Sequence, residues 1–116
     1  MTDNELLERM NDALQQIREE IEAQGALLEL DMRPDFRWAG VARLPAGKMI
    51  VQTQKTGRQA APDSTKPVVE AMADLTLEGR FLARVLFYST KTEIEFPGGA
   101  RRPLDHSGVA KIFSSM

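Results

Sequence analysis

The chain has 116 residues, 42% of them hydrophobic and 28% charged, with a formal net charge of −2 and no cysteine. That length suits one domain burying roughly two-thirds of the surface its unfolded form exposes, and the apolar fraction is too high for a disordered chain. The charge balance excludes whole-protein attraction to nucleic-acid phosphates, and the missing cysteines exclude disulfides, thiolate nucleophiles and cysteine metal sites. A reducing compartment is allowed, so a cytoplasmic location is expected. The opening "MTDNELLERM" is acidic where a secretory signal is basic and then apolar. No run approaches the ~18 apolar residues of a membrane span, so neither export by that route nor anchoring is expected.

Thr2 followed by Glu5 fits a capping box and predicts a helix start. From there Leu7, Met10, Leu14, Ile17 and Ile21 recur at spacings of three and four, with Leu6 and Ala13 widening the stripe, until Gly25 offers a C-terminal cap. The opposite face is acidic: Asp3 to Glu22 holds seven acids and two arginines, net −5, which leaves +3 for the rest of the chain. A stripe this narrow either covers a sheet or forms the seam by which two helices pair, so Leu7, Met10, Leu14, Ile17 and Ile21 are candidate interface residues of a homodimer. The exposed sheet is the other surface through which self-association is expected.

"ALLELDM" alternates Leu28 and Leu30 against Glu29 and Asp31 and predicts a strand. "FRWAGVARL" and "KMIVQTQ" predict a hairpin turning at Pro45 to Gly47, with Trp38 on the core side and Arg37 and Arg43 outside. Residues 56–67 hold two prolines and no periodicity and predict a long loop. Ser64 or Thr65 is expected to cap a second helix, with Pro67 in its first turn, a stripe of Val68, Val69, Met72 and Leu75, and an end near Gly79. "RFLARVLFYS" and "KTEIEF" predict two strands, and Val109, Ile112 and Phe113 a short closing helix. The expected fold is therefore α+β, a single domain over residues 1–116 with a mainly antiparallel five-stranded sheet in the order α-β-β-β-α-β-β-α. That order is similar to the order in small acidic dimeric secretion chaperones.

Between the last strand and the closing helix lies "FPGGARRPLDHSG", residues 96–108. Arg101 and Arg102 beside Gly98 and Gly99 suit a cradle for phosphate or carboxylate. Ser64, Thr65 and Lys66 would stand at a helix N-terminus, where free amides attract anions, although no G-x-x-x-x-G-K-[ST] motif is present. With His106 these make the candidate ligand-binding set. The competing reading is a strand-to-helix connection in which Asp105 or Ser107 caps the helix and His106 is exposed. Asp105, His106 and Ser107 are sequence neighbours, whose side chains point apart, so no triad and no catalytic residue is assigned. No metal ligand set with a recognised spacing occurs, and no cofactor is expected. The leading functional reading is a protein-interaction module, an adaptor, inhibitor or chaperone-like partner, that self-associates. The alternative is a binder of a small anionic ligand such as a nucleotide, held by the 56–67 and 97–107 loops.

Overall fold

In a computed structural model, which describes residues 2–56, 68–114 and 116, two helices and seven strands follow one another as α1 (Asp3–Ala23), β1 (Glu29–Asp31), β2 (Ala39–Leu44), β3 (Gly47–Lys55), β4 (Val69–Leu77), β5 (Arg80–Tyr88), β6 (Thr92–Glu95), β7 (Arg101–Pro103) and α2 (His106–Ser114). The strands form one open antiparallel sheet whose spatial order is the chain order. The architecture is a small, compact α+β domain.

Helix α1 forms because both its ends are closed. The Thr2 hydroxyl accepts from the Glu5 amide at 3.2 Å. At the other end Gly25 has a φ of 82°, and the amides of Gly25 and Ala26 donate to the carbonyls of Glu22 and Ile21, the paired bonds of a Schellman motif. Between the caps, Leu6, Met10, Ala13, Leu14, Ile17 and Ile21 are buried in one core with Met49, Val51, Leu75, Val85, Phe87 and Ile94 of the sheet. Small residues on that sheet face, Ala42, Ala71, Ala73 and Ala83, sit in the same core, where they leave volume for the larger side chains. Arg9 fixes the helix at the strand ends by donating to the carbonyls of Tyr88 at 2.6 Å and Lys91 at 3.2 Å.

Two expectations are corrected. The segment expected to be a second helix is strand β4 from Val69 to Leu77, paired with β3 on one side and β5 on the other. Its alternation is hidden because the core-facing positions begin with Ala71 and Ala73, no more apolar than Met72 between them. The residues are good helix formers, but two neighbouring strands offer a full ladder of hydrogen bonds, and tertiary pairing overrides propensity. The portion of that expected helix before Val68 lies outside the described residues. Arg101–Pro103, expected within a connection, is edge strand β7, so the sheet has seven strands and not five. Pro103 is tolerated there because an edge position need not donate to a further strand. With a strand in place of the middle helix, the order shared with the secretion chaperones is lost.

On β2 and β3 the expected hairpin is present, with Leu44 opposite Gly47. Trp38 is buried, and its amide donates to the Thr53 hydroxyl at 2.8 Å while that hydroxyl donates to the Phe36 carbonyl at 2.7 Å, so the buried threonine is satisfied both ways.

Candidate functional site

The turn between β4 and β5 places Arg80 and Phe81. Glu78 and Gly79 have φ values of 50° and 80°, as a tight two-residue hairpin requires, and the unusual conformation of Glu78 is held by its carboxylate accepting from the Lys48 amide at 2.8 Å. Just beyond, the β4–β5 register shifts: Leu75 pairs with Ala83 but Thr76 pairs with Phe81, so Leu82 is an extra residue. This bulge lets Leu82 and Ala83 both point into apolar surroundings and turns Phe81 outward, 36% exposed.

Facing them is the loop from β6 to β7. Its amides close it, Phe96 donating to the Ala100 carbonyl at 2.8 Å and Gly99 to the Phe96 carbonyl at 3.0 Å. Gly98 and Gly99, each with a φ of 94°, take the left-handed conformation that this short return demands. The third wall is α2. Asp105 caps it, accepting from the Gly108 amide at 2.7 Å, and Gly108 is pressed so close to β7 that a Cβ there would stand 2.6 Å from the Pro103 carbonyl oxygen.

These three walls enclose an open cleft of about 570 Å³. Its floor is apolar, made by Phe81, Leu82, Phe96, Pro97 and Ala100, and Arg80, Arg102 and Lys111 stand around it. No carboxylate lines the cleft among the described residues, and none of those three cations forms an ion pair there. The Arg102 guanidinium reaches toward the Ser107 hydroxyl at 3.5 Å. Three like charges beside a low-dielectric wall raise each other's energy and focus a positive potential into the space between them. The arrangement suits a ligand with an apolar body and negative charge.

The outer face of the sheet has a second hollow, of about 410 Å³, floored by Met72 and Leu86. Its arginines are already engaged. Arg84 meets Asp74 at 2.6 Å and Arg101 meets Glu95 at 3.1 Å, with Arg101 also donating to the Tyr88 hydroxyl at 2.8 Å. The hydrogen bond to Asp74, opposed by desolvation and reinforced by the charges of Asp74 and Glu95, raises the pKa of Arg84 further.

Of the described residues singled out from sequence, Arg102 lines the cleft. Arg101 is its neighbour on a strand, where successive side chains leave on opposite faces, so the two arginines do not form one cradle. His106 is exposed at the first position of α2 and is not part of the lining. Ser64, Thr65 and Lys66 lie outside the described residues. Met10, Leu14, Ile17 and Ile21 are at most 3% exposed inside the chain's own core, and Leu7 packs half-buried against it. Sequence reading missed Arg80, Phe81 and Lys111. Residues 80, 102 and 111 come from three elements, and the one local signal was "RFLARV", whose apolar pair Leu82–Ala83 breaks strict alternation.

Among the described residues no group of three or more His, Asp or Glu side chains is placed to hold a metal ion, and no helix is long and apolar enough to cross a membrane. Comparison with protein-family models, with curated proteins and with solved structures found no match.

Proposed function

We propose that this chain is a protein-interaction module of a reducing compartment such as the cytoplasm, which captures an apolar, acidic segment of a partner protein in the cleft between the β4–β5 turn, the β6–β7 loop and α2. The observation that carries this reading is the trio Arg80, Arg102 and Lys111 around an apolar floor with no carboxylate among the described lining residues. The volume falls in the range of ligand sites, about 300–1,000 Å³. Arg80, Phe81 and Lys111 are themselves exposed, so an occupant keeps one side in water. A polypeptide segment tolerates that, whereas a small molecule gains most of its affinity from enclosure. Capture by strand addition at β7 is disfavoured, because Pro103 has no N–H to offer and α2 closes on its carbonyl.

The test is a titration of isotope-labelled protein, followed by NMR, with a peptide of alternating Phe and Glu, with the same peptide carrying Gln for Glu, and with a long-chain fatty acid. The acidic peptide is expected to shift amides of residues 80–82, 96–102 and 111. The Gln peptide should bind about tenfold or more weakly, the size expected when charge-assisted contacts are lost. Arg102→Ala and Lys111→Ala should each weaken binding and its salt dependence. Shifts caused by the fatty acid alone would move the site to a free amphiphilic anion, and no shift at these residues with any probe would remove the site.

A further inference from the structure

On the outer face of the sheet one charged row crosses four strands. Asp74 of β4 is paired in register with Arg84 of β5, Arg84 with Glu95 of β6, and Glu95 with Arg101 of β7. The signs alternate along the row. The side chains are between 23% and 49% exposed, so each ion keeps a face toward solvent after meeting its neighbour. Two residues toward the other end of these strands, Met72 and Leu86 are paired beside the row and give it an apolar border.

An alternating row of four has a property that no other outer-face row among the described residues shares. Turned end for end, it presents the opposite sign at every position: Asp74 opposite Arg101, Arg84 opposite Glu95, Glu95 opposite Arg84, and Arg101 opposite Asp74. We infer that this face is the contact between two copies of the chain, related by a twofold axis that lies in the interface, runs along the strands and passes between β5 and β6. Only that axis reverses the row. A twofold running across the strands would set Asp74 on Asp74 and Arg84 on Arg84, and like charges directly opposed are strongly disfavoured at an interface. An isologous contact needs a self-complementary patch, and the row supplies one. Every charge already has a partner within its own copy, so association leaves no ion unpaired. The charges fix the orientation of the pair, while Met72, half-buried over the buried Leu86, adds apolar area at the border. This contact uses the sheet, and the α1 stripe stays in the core of each protomer.

The geometry makes a prediction that intramolecular effects cannot imitate. In Arg84→Glu the introduced carboxylate of each copy faces the native Glu95 of the other, so two acid–acid oppositions arise between copies. In Glu95→Arg the introduced guanidinium of each copy faces the native Arg84 of the other, and two cation–cation oppositions arise. Each variant alone is expected to be monomeric by analytical ultracentrifugation and native mass spectrometry, with a dissociation constant raised about a hundredfold or more over the wild type. A mixture of the two restores opposite signs at all four positions, so the mixed sample should contain a heterodimer. Circular dichroism establishes that each variant is folded. Should either one unfold, Arg84→Gln mixed with wild type serves instead, with dimerisation weaker than in the wild type and less sensitive to salt. A wild-type protein that stays monomeric at low salt, single variants that dimerise as the wild type does, or a mixture that forms no heterodimer would each overturn the inference.

Discussion

Ala73 and Asp74 are neighbours in β4, and they belong to the two different halves of this protein's energetics. Ala73 is fully buried with α1 and the core strands, whereas Asp74 is about one-third exposed in an ion-pair row on the outer face. The inner face is apolar and closed, so its contribution comes from packing and water exclusion. The outer face carries a partly exposed charged row, and ion pairs of that kind contribute little to stability and much to orientation and choice of partner.

Substitutions on the two faces should therefore differ in kind. The largest effect is expected for Leu14→Asp, which puts a carboxylate into a site 3% exposed in the core. Its cost of about 4 kcal/mol or more is a large part of the roughly 5–15 kcal/mol a domain has, so far-UV circular dichroism should show unfolding of the protomer and not merely separation of a dimer. A folded Leu14→Asp monomer would mean that α1 does not close the core. Next, Ala73→Leu forces extra volume into the fully buried inner face and should cost about 1–3 kcal/mol in urea unfolding, with an unchanged m-value. At the next position Asp74→Ala should cost less than about 1 kcal/mol, because the Arg84–Asp74 pair is partly solvated on both sides. Equal costs at these two adjacent positions would erase the distinction between the faces.

A similar contrast separates Arg101 from Arg102. The first is bonded to Glu95 and Tyr88 on the outer face, and the second stands in the cleft beside α2. Their adjacency in sequence suggested one anion cradle. The strand placed them on opposite sides, and the companions of Arg102 are Arg80 and Lys111. Those companions lie 22 residues before it and nine after it, a distance at which residue types carry no information about proximity.

Local rules were sufficient wherever an element's signal lay in its own residues. The three-four stripe and the two caps defined α1, a cap at Asp105 or Ser107 with Val109, Ile112 and Phe113 defined α2, the apolar runs on either side of Pro45–Gly47 defined the β2–β3 hairpin, a mostly apolar run defined β5, and alternation defined β6. They failed at β4, where alanines on the inner face matched their neighbours in polarity, and at β7, which is three residues long and ends in proline. Both strands exist because a neighbouring strand presents unpaired amides and carbonyls that must be met. Whether the α1 stripe served a seam or a sheet was equally undecidable from spacing, since both bury the same side chains, and the sheet's small residues decided it. The sequence by itself determined helices α1 and α2 and the β2–β3 turn, because those depend on contacts a few residues apart. Only the tertiary structure decided which strand β4 became, which cations share the cleft and which charges share a row, because those follow from strand register between residues far apart in the chain.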